Sequence, residues 1–206
     1  MQRAALIVAV AALTFVAAIA RADGPGAYRP VERPSSSTAP VLHAIDAYNA
    51  GYAQIRRADE LGTQADAARQ AKIAYQAALK EFSRAVQLDP AMHEAYTYIG
   101  YAKRQLSDYE AALDAYEKAL RINPDYPPAI EYQGEAFVKL GRMDEAKFNY
   151  LRLYALSPPL AAKLLTSMQQ RVGSNRSADT AELEAWMTER AALAAKAGND
   201  RPGSSW

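Results

Sequence analysis

The two histidines, His43 and His93, are the first place to look for chemistry in this 206-residue chain. A helical metal pair needs a second histidine one turn away, at i and i+4, and neither residue has one. There is no cysteine, so thiolate metal sites, disulfides and a cysteine nucleophile are excluded together. No glycine-rich phosphate loop and no G-x-S-x-G nucleophile elbow occurs. Asp108, Glu110 and Glu117 alternate with lysines at helical spacing, which is the pattern of a solvated face rather than of an acid–base pair. No catalytic residue, cofactor site or metal site is expected, and the chain reads as a non-enzyme. Binding is the chemistry left to it. Its 13 tyrosines suit that use, because each offers a rigid face and a polar tip with few rotors to freeze.

Bulk properties set the frame for whatever positions those side chains. The chain is 50% hydrophobic and 23% charged with a net charge of +1, which is ordinary globular composition. Its length suits one domain with appendages. Without a basic block there is no electrostatic footprint for nucleic acid and none for a charged membrane surface.

The N-terminus carries its own signal. Arg3 precedes an apolar run from Ala4 to Ala20, and Ala20-Arg21-Ala22 supplies the two small residues of an A-x-A site. This is the form of a secretory signal peptide, with cleavage expected after Ala22 and a periplasmic or secreted location. A retained membrane anchor is the competing reading, at the lower edge of spanning length. Cleavage leaves no membrane insertion and lowers the basic count from 24 to 22 against 23 acidic residues. Residues 23–40 hold Pro25, Pro30, Pro34 and Pro40 with glycines and a serine run, a disordered spacer by composition.

From residue 41 to 158 the spacing is helical. Tyr109, Ala112, Leu113, Tyr116, Ala119 and Leu120 recur at three and four, which places one stripe along one face. A second helix over 129–140 ends at Gly141, and short turns are expected at Ser107-Asp108 and Arg142-Met143. The segment ending at Pro124 is repeated at Pro90 and Pro158, 34 residues to either side.

That period, with a helix–turn–helix in each unit, resembles the tetratricopeptide repeat family. In the central repeat Tyr96, Ile99, Gly100, Ala112, Tyr116, Ala119 and Pro124 take signature places. Gly134, Phe137, Gly141, Ala146, Tyr150 and Pro158 match in the next repeat, and Tyr75, Ala78, Phe82, Ala85 and Pro90 in the one before. Small residues sit where two helices approach closely, the aromatics at 82, 116 and 150 fill the gap to the neighbouring repeat, and the prolines close the second helices. Lys103 and Gln133 depart from the pattern, standing where the family has an aromatic and a leucine. Gly51 takes the small place of a first repeat that is about 15 residues too long, read as two extended helices.

The resemblance implies an all-α, right-handed superhelical solenoid with repeats at 41–90, 91–124 and 125–158. Amphipathic helices over 159–197 cap it, and residues 198–206 form a flexible tail. It also implies a concave groove, and the family's groove places fall on Tyr48, Tyr52, Thr97, Tyr101, Arg104, Gln105, Glu131, Glu135 and Lys139. The lysine and asparagine set of the family's carboxylate-clamp members is not reproduced, with Asn49 alone fitting. The expected role is an exported adaptor that takes a protein or peptide in this groove. The alternative is an assembly subunit of a larger envelope complex. Homo-oligomers would form through the C-terminal helices, where Trp186 lies.

Overall fold

Proline and glycine set most of the boundaries of the helices. The computed structural model describes residues 39–61, 65–174 and 180–199. The expected signal peptide, and the spacer as far as residue 38, lie outside the described residues, as does the tail from residue 200. Eight helices follow one another: α1 Ala39–Leu61, α2 Ala65–Leu88, α3 His93–Gln105, α4 Tyr109–Ile122, α5 Pro127–Leu140, α6 Met143–Leu156, α7 Pro158–Gly173 and α8 Ala181–Asn199. No strand occurs among the described residues. Two bounds differ from expectation, since α1 opens at Ala39 inside the expected spacer and α8 runs to Asn199.

Pro127-Pro128 and Pro158-Pro159 open α5 and α7. A helix start tolerates proline because the first-turn N–H groups have no intrahelical partner, and φ is already correct. Pro158 therefore does more than stop α6: with only Ser157 between the two helices, it also begins α7. At the end of α5, Gly141 adopts φ 78°, and Arg142 N–H donates to Phe137 O at 2.9 Å. This left-handed cap recurs one repeat earlier, where Ser107 has φ 65° and Asp108 N–H donates to Lys103 O at 2.9 Å. Serine carries a Cβ penalty there that glycine lacks. Ser107→Gly is thus expected to stabilise the fold by about 0.5–1 kcal/mol, net of the looser unfolded chain. Urea titration checks the sign, and a destabilised variant would mean the serine side chain holds the turn.

α1/α2, α3/α4 and α5/α6 form antiparallel hairpins, and each hairpin packs on the next. The first helices also touch in series, α1 on α3, α3 on α5 and α5 on α7. Close approach depends on the small places. A Cβ on Gly51 would lie 2.8 Å from the Phe82 ring, and one on Gly100 2.4 Å from Tyr116. Phe82 and Tyr116 thus pack within their own repeat as well as toward the next, where they meet Tyr98 and Tyr132. At Gly134 the nearest side chain is Leu164 of α7, at 2.5 Å from such a Cβ, rather than Tyr150. Gln133 finds a use as well. Its Oε1 accepts from buried Asn149 at 3.0 Å, and Asn149 also donates to Ile130 O.

The core is aromatic along the first helices. Tyr98 stacks on Phe82 at 5.5 Å and meets Tyr52 edge-on at 5.4 Å, while Tyr101 and Tyr132 continue the series at 5.1 Å. α7 closes this end of the array with buried Ala161, Leu164, Leu165, Met168 and Val172. α8 then lays Met187 and Trp186 inward, with Trp186 edge-on to Tyr150 at 5.3 Å. Farther along α8, Leu193 is exposed.

Candidate functional site

The expected groove places divide by depth. Tyr48 and Thr97 are 0% exposed and Glu131 is 1% exposed, and these three occupy corresponding places in successive first helices. Tyr52 and Tyr101 are buried too, at 6% and 5%. Reading them as groove contacts is therefore corrected. Neighbouring first helices pack so closely that these side chains fill the seam between them. Gln105 and Lys139 are exposed, while Arg104 and Glu135 lie at the seam's edge with side chains 11% and 13% exposed.

Within the seam, polar groups form a chain across five helices, α1, α2, α3, α5 and α7. Asp59 accepts hydrogen bonds from the hydroxyls of Tyr75, at 2.5 Å, and Tyr101, at 3.1 Å. Burial raises the Asp59 carboxyl above its usual range against the pull of these two hydroxyls. Asp59 reaches them because α1 is longer than the later first helices, which end before the corresponding place. Arg104 lies over the rings of Tyr101 and Tyr132, at 5.2 and 5.5 Å, and pairs with Glu135 at 2.8 Å. Ser167 of α7 reaches Glu135 at 3.5 Å, and Lys163 Nζ lies 3.4 Å from Glu131 Oε1, outside hydrogen-bond geometry.

Glu131 and Glu135 are one turn apart on α5 and differ in charge. Burial and the adjacent Glu135 carboxylate push the Glu131 carboxyl up to about 8, so it holds its proton at neutral pH and donates to Glu135. Burial would raise Glu135 as well, but Arg104 and Lys163 bring it below the usual range. Within the seam the Arg104 charge is therefore met by the Glu135 carboxylate, with Glu131 protonated.

Beyond the seam an open pocket of about 320 Å³ lies at the C-terminal ends of α3, α5 and α7. Arg104 and Glu135 form its floor, Val138 and Ser167 stand on its walls, and exposed Lys139 and Arg171 stand at its mouth. With the Arg104 charge neutralised by Glu135, the mouth is positive. Sequence reasoning located Arg104, Glu135 and Lys139 but missed Asp59, Tyr98, Tyr132, Lys163, Ser167 and Arg171. Tyr98 and Tyr132 were within reach, being 34 residues apart. The α7 residues were read only as part of a cap.

His93 is structural. Its ring packs on Tyr126 at 4.5 Å and its nitrogens engage Glu94 and Asn123. Among the described residues no cluster of three or more His, Asp or Glu side chains is placed to hold a metal. No described helix is long and apolar enough to cross a membrane.

Residues 93–126, spanning α3 and α4, match the sequence model of the tetratricopeptide repeat. No curated protein sequence matches the chain. Solved structures match the fold at low identity. The Arabidopsis OM64 TPR domain superposes with a TM-score of 0.53 at 17% identity, over 64% of this chain and 98% of that one. The first TPR of Spaghetti (RPAP3), solved bound to the HSP90 peptide SRMEEVD, gives 0.53 at 20% identity, over 65% and 95%. MamA gives 0.52 at 16% identity, over 78% and 97%. The helices therefore form a solenoid of the tetratricopeptide type.

Proposed function

We propose that this protein is an exported, non-catalytic adaptor that holds a segment of another protein in the pocket between α3, α5 and α7. The observation that carries the reading is the pocket itself. It is open, it is bounded by three successive first helices, and the two cations at its mouth, Lys139 and Arg171, have no ion pair among the described residues. A segment that presents an acidic side chain or a C-terminal carboxylate fits such a mouth. One neighbour of the same fold was solved with an acidic peptide bound, which supports a peptide ligand here. Arg3, the apolar run and Ala20-x-Ala22 support export to a periplasmic or secreted location.

The test is a pull-down from the cell envelope with the wild type and with Lys139→Glu/Arg171→Glu. Both side chains are exposed, so the melting temperature should hold while partner affinity falls at least tenfold, in the range of interface hot spots. Undiminished capture would place the binding surface elsewhere. The recovered wild type, sequenced from its N-terminus, should begin at Asp23, and a start at Met1 would overturn the export reading.

One observation favours a second reading, that of an assembly subunit. α6 leaves Phe148 and Leu151 exposed on its outer face.

A further inference from the structure

α6 is apolar on two faces. Ala146, Tyr150 and Leu153 point inward and are buried. On the opposite side Phe148 is 62% exposed and Leu151 48% exposed, with exposed Ala155 in line. The steps of three and then four along 148, 151 and 155 are those of a coiled-coil seam, with positions a, d and a.

The solenoid does not require this strip. One repeat earlier the same three places on α4 hold Asp114, Glu117 and Arg121, all exposed. The same register can therefore be wholly charged in a helix that packs the same way. Among the described residues the Arg152 guanidinium lies 6.0 Å from the Phe148 ring yet leaves Phe148 62% and Leu151 48% exposed, so the strip calls for a surface outside the described helices.

The flanks say which surface. Glu145 and Arg152 lie on the same side of the strip. If a second α6 runs antiparallel to the first, Phe148 packs against Leu151 of the other copy. The same alignment sets Glu145 alongside Arg152 of the other copy, and the contact occurs twice because the arrangement is two-fold. A two-fold interface must be complementary to itself, and this strip is. Glu145 accepts from Arg142 at 2.8 Å, in a pair whose two side chains are 42% and 43% exposed and which a partner can replace. Arg152 gives one donor to Pro124 O and retains others.

We propose that the chain forms a symmetric dimer through antiparallel pairing of α6 with α6 of a second copy. Trp186 of α8, the residue that sequence reasoning assigned to self-association, is turned inward onto Tyr150 and is not part of this surface.

Sedimentation velocity on the full chain, and on the form beginning at Asp23, tests the proposal. Both should show concentration-dependent dimers at about 100 μM or below, and Leu151→Glu should weaken association at least tenfold. Glu145→Arg alone and Arg152→Glu alone should each do the same, since each sets like charges together in both contacts. An equimolar mixture of these two single variants should recover the dimer, because opposite charges then meet in both contacts. That recovery also shows that the variants are folded. The proposal is overturned by a monomeric wild type, by association seen only in the full chain, by association that Leu151→Glu leaves unchanged, or by a mixture that stays monomeric. A monomeric wild type would assign the strip to a different protein.

Discussion

Arg104→Met is expected to lower folding stability by about 3–5 kcal/mol, the cost of breaking a buried ion pair from one side. The guanidinium is the nearest cation to Glu135, at 2.8 Å, and both side chains are almost fully enclosed. Removing it leaves a carboxylate in the seam beside a second carboxyl, Glu131, that is neutral only because burial and Glu135 disfavour its charge. Methionine keeps the stem and the packing on Tyr101 and Tyr132, so the loss isolates the charge. Arg104→Lys should recover only part of it, because an ammonium cannot lie flat over two rings and reach Glu135 as a planar fork does. The double variant Arg104→Met/Glu135→Leu should be more stable than Arg104→Met alone, since no orphan charge remains. Urea unfolding followed by circular dichroism gives all three values. A loss of about 0.5 kcal/mol or less for Arg104→Met, as at ordinary surface sites, would mean that water reaches the pair.

Tyr98→Ala is expected to cost about 3–5 kcal/mol, the range for deleting a large buried aromatic ring. Tyr98 is 1% exposed and contacts the rings of Tyr48, Tyr52, Phe82 and Tyr101, so it ties the first repeat to the second. Tyr154→Ala is the matched control. Its ring is 40% exposed on α6, and a change of about 0.5 kcal/mol or less is expected there. Thermal unfolding of the two variants should separate them clearly. Similar midpoints would show that the aromatic series is not the joint between repeats.

The corrected groove shows where reading the sequence stops. The resemblance places Tyr52, Tyr101 and Glu135 at one site in three repeats, and the register is right. In the structure Tyr52 and Tyr101 lie inside the seam between first helices and Glu135 at its edge. A family place says which way a side chain points from its own helix. It does not say how far away the next helix stands. All the expected contact residues except Gln105 and Lys139 thus turned into core and ion-pair residues, and the open surface moved to the helix ends. Asp59 was hidden for a related reason. It acts only because α1 overruns the usual turn, and its partners are 16 and 42 residues away.

The helices, their order and their pairing could be read from the chain alone because each depends on local physics. Proline stops one ladder and starts another, a left-handed cap is satisfied within a few residues, and the second-helix aromatics Phe82, Tyr116 and Tyr150 recur every 34 residues. Folding in three dimensions settled which polar side chains lose water. In a solenoid each repeat contacts only its neighbours, and a small rotation per repeat sets the width of the seam. No single residue encodes that rotation. Through it Glu131 is closed in and holds its proton, Arg104 is committed to Glu135, Lys139 and Arg171 are left facing solvent, and Phe148 and Leu151 are left bare on α6.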